Sequence, residues 1–113
     1  MTVRDTTKDT ETTELFDYVI CCTGHFSTPN VPEFPGMETF QGRIMHAHDF
    51  RSAETFKDQR VLVIGTSYSA EDIASQCYKY GVKSVHCSWR TAPMGFHWPK
   101  NFTTVPLLTK VRG

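Results

Sequence analysis

The clearest chemistry in the chain lies in Val61-Leu62-Val63-Ile64-Gly65-Thr66-Ser67-Tyr68-Ser69-Ala70-Glu71-Asp72-Ile73-Ala74. A short apolar, β-branched run ends in glycine, crosses a small-residue turn and opens a helical pattern. A dinucleotide-binding strand–turn–helix unit is written this way. In the pattern G-x-G-x-x-G/A the first glycine makes the tight turn. The second lets a diphosphate approach the backbone, and the third lets helix and strand pack closely. Gly65, Ser67 and Ala70 hold those three places. Ser67 is small enough for close approach, and its hydroxyl can itself bond a phosphate. Free N–H groups at the helix start, aided by the helix dipole, face the anion. Thr66, Tyr68 and Ser69 lie within the same turn. An ordinary α/β turn with a small-residue crossover would read the same way.

The end of the following strand discriminates further. NAD-binding domains commonly place Asp or Glu there, about 20 residues on, to bond the ribose 2′-hydroxyl. This chain has Ser88-Trp89-Arg90-Thr91 instead. A guanidinium cannot accept those hydroxyl bonds, but its fork matches a 2′-phosphate. Ser88 and Thr91 would add hydroxyl donors, and Trp89 or Arg90 would stack on adenine. NADP(H) is therefore expected in preference to NAD(H), with a solvated strand-end arginine as the plain alternative.

Other reactive side chains point nowhere definite. Cys21, Cys22, Cys77 and Cys87 form no C-x-x-C, and small buried apolar roles in a reducing compartment are expected. His25, His46 and His48 with Cys21 and Cys22 lack the spacing of a tetrahedral metal site, so no metal is expected. Asn101-Phe102-Thr103 matches a glycosylation pattern by chance.

These residues must be positioned by 113 residues, enough for one small domain. Lys plus Arg and Asp plus Glu both number 12, so no basic field invites nucleic acid. Apolar runs fall far short of the roughly 20 residues that span a bilayer, and the polar N-terminus has no secretory core. No membrane partner and a cytoplasmic location are expected.

The elements follow from local patterns. A hairpin turning near Lys8-Asp9 is expected in the Thr-rich N-terminus. A strand is expected over Phe16 to Cys22, ending at Thr23-Gly24-His25. Pro29, Pro32, Pro35 and Gly36 mark an extended connector. A short strand is expected at Ile44 to His46 and a buried one at Val61 to Ile64. Ala70, Ile73, Ala74 and Cys77 make one apolar face of a helix from Tyr68 to Tyr80, with Gly81 in the C′ place. Strands over Val82 to Arg90 and Val105 to Val111 should flank a loop at 91–104. The fold class is therefore α/β. The β-α-β order implies parallel strands and a right-handed crossover, as in a partial Rossmann-like NADPH-binding domain.

A second marker turns the ligand class into a family. Phe40-x-Gly42-x-x-x-His46-x-x-x-Phe50-Arg51 resembles the F-x-G-x-x-x-H-x-x-x-[YF]-[KR] signature of flavin-containing monooxygenases and related Baeyer–Villiger enzymes. Cys22-Thr23-Gly24-His25 looks like the strand end of that family's FAD domain, and the Gly65 turn looks like its NADPH turn. The tract from His25 to Gly95 is especially similar to bacterial trimethylamine monooxygenases.

The resemblance implies an enzyme using FAD and NADPH. Its flavin, reduced by NADPH, reacts with O2 to a C4a-hydroperoxide that transfers one oxygen atom to an amine nitrogen or a sulfur. It also implies that Tyr68 lies near the ribose–nicotinamide half of NADP, that Arg90 and Thr91 hold the 2′-phosphate, and that Thr23 and Gly24 lie on the FAD side. His46 is then a linker rather than a general base. Trimethylamine or a similar tertiary amine is the expected substrate, a sulfide the variant, and a homodimer the expected assembly of the full-length enzyme.

The family's first G-x-G-x-x-G turn is not found here, so the chain reads as an internal fragment, inactive alone. Residues 1–28 would end the first FAD-domain segment, 29–58 would be a connector carrying the signature, and 59–113 would begin the NADPH domain. The competing reading is a non-catalytic NADP-binding module, which has no need of the signature. A disulfide reductase would need a redox cysteine pair at other spacings.

Overall fold

The structure is a computed structural model that describes residues 1–112. Two antiparallel strands open it, β1 (Thr2–Asp5) and β2 (Thr10–Thr13), with Thr2 opposite Thr13 and Asp5 opposite Thr10. The Asp5 carboxylate closes the hairpin loop, accepting from the Thr7 N–H at 2.9 Å and from the Thr7 hydroxyl at 2.6 Å. Those bonds favour the ionised form and hold the Asp5 pKa below its ordinary range.

The main unit is a three-stranded parallel sheet in the order β3-β4-β5. Its strands are β3 (Arg60–Ile64), β4 (Ser84–Trp89) and β5 (Phe102–Pro106). Helix α1 (Tyr68–Lys79) makes the crossover between β3 and β4. It ends as expected. Gly81 takes φ +82°, its N–H reaches the Tyr78 carbonyl at 3.1 Å, and the Val82 N–H reaches that of Cys77 at 3.3 Å. This pair of bonds is a Schellman closure, and Cys77 and Val82 are both buried beside it.

The core sits between α1 and one face of the sheet. Ala70, Ala74 and Cys77 from the helix meet Val85, Cys87 and Phe102 from the strands. Small helix residues let the two layers approach closely. The other sheet face is only partly covered by described residues: Leu62 and Ile64 are 46% and 44% exposed, whereas Ser88 on that face is buried beside Pro106 and Leu108, and Val61 and Val63 pack toward the core. The Val61 to Ile64 run is thus half-buried, with a period of two, because the described residues pack fully against only one face of β3.

Three expectations fail, each because pairing overrides propensity. Residues 16–22 form no strand, and Leu15, Tyr18 and Ile20 are 97%, 89% and 84% exposed. A β-favouring run becomes a strand only where a neighbour supplies a ladder and a packed face, and no described strand lies alongside. Ile44 to His46 is likewise not a strand. His46 instead caps a 3₁₀ turn at Ala47–Asp49, its Nδ1 accepting from the His48 N–H at 3.1 Å. The last strand is Phe102–Pro106 rather than Val105 to Val111. Its register is set by β4, which places Phe102 opposite Val85 and Pro106, with no N–H to give, opposite Trp89.

No helix among the described residues is long and apolar enough to cross a membrane. Cys77 and Cys87 are buried free thiols as expected, but Cys21 and Cys22 are exposed, contrary to expectation, because the 16–22 run that carries them pairs with no described strand. Burial, and secondarily the nearby Cys77, pushes the Cys87 thiol from an ordinary 9.0 up to about 11. The native state thus prefers the protonated thiol. Its contribution is complete below about pH 9 and is lost as pH rises toward 11, on the order of 2 kcal/mol. Urea midpoints measured from pH 8 to 11 should fall over that window, and Cys87→Ala should flatten the fall. A profile that stays unchanged in Cys87→Ala would assign the alkaline loss to another group.

Candidate nucleotide-binding site

The parallel register places Ile64 opposite Ser88. The chain therefore leaves β3 and β4 at the same edge of the sheet, as Gly65-Thr66-Ser67 and as Arg90-Thr91. Gly65 takes φ +129°, a backbone reserved for glycine, while its N–H holds the Ser88 carbonyl at 2.9 Å. A Cβ at Gly65 would lie 3.9 Å from the Ala70 Cβ, ordinary contact, so the backbone angle and not space demands glycine. Ala70 itself is buried, packing the helix start onto the turn.

Ser67 is the N-cap of α1. Its carbonyl accepts from the N–H groups of Ala70 and Glu71 at 2.9 and 3.0 Å, and its hydroxyl makes no cap bond. The N–H groups of Tyr68 and Ser69 precede any carbonyl the helix can offer them, so they are donors in want of an acceptor. Ser67, Tyr68 and Ser69 are all exposed. An anion at this edge would meet an N-terminal dipole, two backbone donors and a free hydroxyl.

Arg90 and Thr91 are exposed beside the turn, and neither side chain makes a hydrogen bond or ion pair among the described residues. Ser88 is different. It is 1% exposed, donates its hydroxyl to the Pro106 carbonyl at 3.0 Å and accepts from the Leu108 N–H at 2.9 Å. It fastens β5 to β4 and has no hydroxyl left for a phosphate, contrary to the sequence expectation. One contact had no signal in the sequence. The Thr66 hydroxyl donates to the Ala92 carbonyl at 3.2 Å, across 26 residues.

The Phe40 to Arg51 segment is a self-braced turn. Gly42 lies under the Phe40 ring, where a Cβ would come within 2.5 Å of its carbons. His46 caps the 3₁₀ turn from one end. Arg51 closes the other, its Nη1 donating to the carbonyls of His48 and Phe50 at 2.8 and 2.9 Å. Phe50 stacks on Phe56 at 6.2 Å, and the Arg43 guanidinium lies over Phe56 at 5.4 Å. His48 Nδ1 sits 2.9 Å from the Asp49 carboxylate, and that bond lowers the Asp49 pKa.

Together with Phe26, Ser69, Asp72 and Ile73, this turn lines a cleft of about 370 Å³ against the start of α1. The fold therefore brings His46 and Phe50 to the first turn of α1. Thr23 and Gly24 are not drawn into that cleft. Both are exposed, and Gly24, at φ +71°, has nothing within 4 Å of where a Cβ would stand. Among the described residues no cluster of His, Cys, Asp and Glu is arranged to hold a metal ion.

The profile of the flavin-binding monooxygenase-like family matches residues 1–95. A trimethylamine monooxygenase of Roseovarius sp. (strain 217) is 65% identical over 113 residues, all of this chain and 25% of that protein. A senecionine N-oxygenase of Tyria jacobaeae is 39% identical over 83% of this chain and 22% of its own length. The crystal structure of Tmm from Pelagibacter sp. strain HTCC7211 superposes with a TM-score of 0.80 at 52% identity, covering 99% of this chain and 26% of that one. The chain thus spans about a quarter of the length of the curated relatives it matches.

Proposed function

The chain belongs to the flavin-binding monooxygenase-like family, and from that premise we propose that it is a portion of an FAD- and NADPH-dependent enzyme that oxygenates small amines or sulfides. Residues 59–113 begin a Rossmann-like NADPH domain, 29–58 form the connector, and 1–28 close the first FAD-domain segment. The observation that carries this reading is the shared sheet edge: the Gly65 turn and Arg90 leave adjacent parallel strands side by side. A diphosphate on the first turn of α1 would have its adenosine ribose directed toward the end of β4, where a 2′-phosphate meets a guanidinium.

The residues fit that nucleotide. Gly65, Thr66, Ser67 and Ala70 shape the turn, the Ser69 N–H would donate to a bound diphosphate, Tyr68 would serve the ribose–nicotinamide half, and Arg90 and Thr91 would hold the 2′-phosphate. Thr23 and Gly24 belong to the FAD side, whose cradle this stretch of chain does not assemble by itself. When both are bound, NADPH would supply an electron pair through FAD to activate O2, one atom passing to the substrate nitrogen or sulfur and the other leaving as water. The braced turn from Phe40 to Arg51 orients the connector against the nucleotide helix, a device that a bare NADP-binding module does not need.

Trimethylamine is the substrate we propose, because the relative 65% identical to this chain carries that name. The full-length FAD-loaded enzyme should consume NADPH and O2 and form trimethylamine N-oxide in equal amounts. NADPH oxidation that yields peroxide and no oxygenated product, with amines and sulfides alike, would refute the proposal.

A further inference from the structure

We propose that Thr66 is a positioning residue that sets the preference for a 2′-phosphorylated nicotinamide nucleotide by tethering the Arg90–Thr91 segment to the diphosphate turn. This inference rests on the NADP(H) reading above and goes beyond it, because Thr66 acts here through the protein and not through the ligand. The turn itself is anchored: the Gly65 N–H holds the Ser88 carbonyl. The segment carrying Arg90 is not anchored in the same way. The pairing of β4 ends at Ile64–Ser88 on one side and Trp89–Pro106 on the other. Residues 90–92 lie beyond both ladders. The bond from the Thr66 hydroxyl to the Ala92 carbonyl is the one side-chain hydrogen bond they take part in among the described residues.

A guanidinium rewards a phosphate with two directed bonds only if it is held where the phosphate arrives. Each degree of freedom left in the loop is lost on binding and subtracts from affinity. The tether crosses from the element that holds the diphosphate to the element that holds the 2′-phosphate, so it fixes the distance between the two anion sites. NADH has the diphosphate and lacks the 2′-phosphate. Loosening the tether should therefore weaken NADPH and spare NADH. A residue that merely touched the diphosphate would affect both alike.

Thr66→Val removes the hydroxyl and keeps the β-branched shape. The Ala92 carbonyl it leaves belongs to an exposed residue and can turn to water, so folding should be unaffected. In the full-length FAD-loaded enzyme, Thr66→Val should raise the Kd for NADPH by up to about 5-fold, the limit set by the net worth of the one hydrogen bond that pre-organises the segment. The Kd for NADH should stay within about twofold, and Thr66→Ser should restore NADPH binding. On an Arg90→Ala background, Thr66→Val should add little, since the tether then has nothing to position. Equal weakening of both nucleotides, or no weakening of either, would overturn the inference. If Arg90→Ala separates the nucleotides and Thr66→Val does not, the tether alone falls. If Arg90→Ala also fails to separate them, the NADP(H) reading falls with it.

Discussion

Replacing Arg90 with alanine in the full-length enzyme is expected to raise the Kd for NADPH by about 10- to 100-fold while leaving NADH within about twofold. Arg90 is exposed and has no protein partner among the described residues, so the free enzyme loses almost nothing when it is removed. A 2′-phosphate gives it a doubly charged, three-oxygen acceptor, and the fork can bond two of those oxygens at once. Arg90→Lys should fall between, because it keeps a point charge and loses the fork. Raising the salt concentration should narrow the gap between NADPH and NADH in the parent enzyme, since the interaction is solvent-accessible and screened. Equal losses with the two nucleotides in Arg90→Ala would show that the guanidinium does not read the 2′-phosphate.

The second large effect is expected at Gly65. Its φ of +129° lies where an L side chain is strained whatever room surrounds it. Gly65→Ala should therefore destabilise the protein by roughly 1–3 kcal/mol, or force the turn into another shape. A turn forced into another shape should abolish measurable NADP+ binding, because the N–H groups of the first helical turn would no longer face a common anion. Space is not the obstacle, as the nearest atom to a built Cβ, that of Ala70, stands 3.9 Å away. The double substitution Gly65→Ala with Ala70→Gly should for that reason bind no better than Gly65→Ala alone. Recovery of binding in the double variant would show that helix–turn packing, and not the backbone angle, demands glycine. Calorimetric titration of NADP+ together with thermal melts would separate loss of the site from loss of the fold.

The two effects differ in how far they can be read from residue order. Gly65 is legible because its requirement is local: an apolar run, a small-residue turn and a helix start follow one another along a short stretch of chain. Helix α1 is legible for the same reason, through the spacing of Ala70, Ala74 and Cys77 and the stop at Gly81. The Phe40 to Arg51 pattern was readable as a family signature. That its members brace one another, with Arg51 on two carbonyls and His46 on a neighbouring N–H, was not. Hydrogen-bond partners depend on rotamers that residue order does not specify.

Propensity misled wherever pairing decides. The Phe16 to Cys22 run has every mark of a strand, yet it is exposed chain with no described neighbour. The last strand begins at Phe102, inside what read as a loop, because β4 offers Val85 as its partner there. Ser88 read as a phosphate donor and serves as the fastening of β5.

By itself, then, the amino-acid order determined the turn, the helix, the α/β class and the family, all of which rest on contacts between near neighbours or on a motif of fixed spacing. Tertiary structure alone decided which strands pair, which face of the sheet packs on the helix, that Ser88 is occupied while Arg90 has no partner among the described residues, and that Thr66 reaches Ala92. Those outcomes hang on groups far apart in the chain, whose meeting is settled by the register of parallel strands and the burial of one face, and neither is written in any local window.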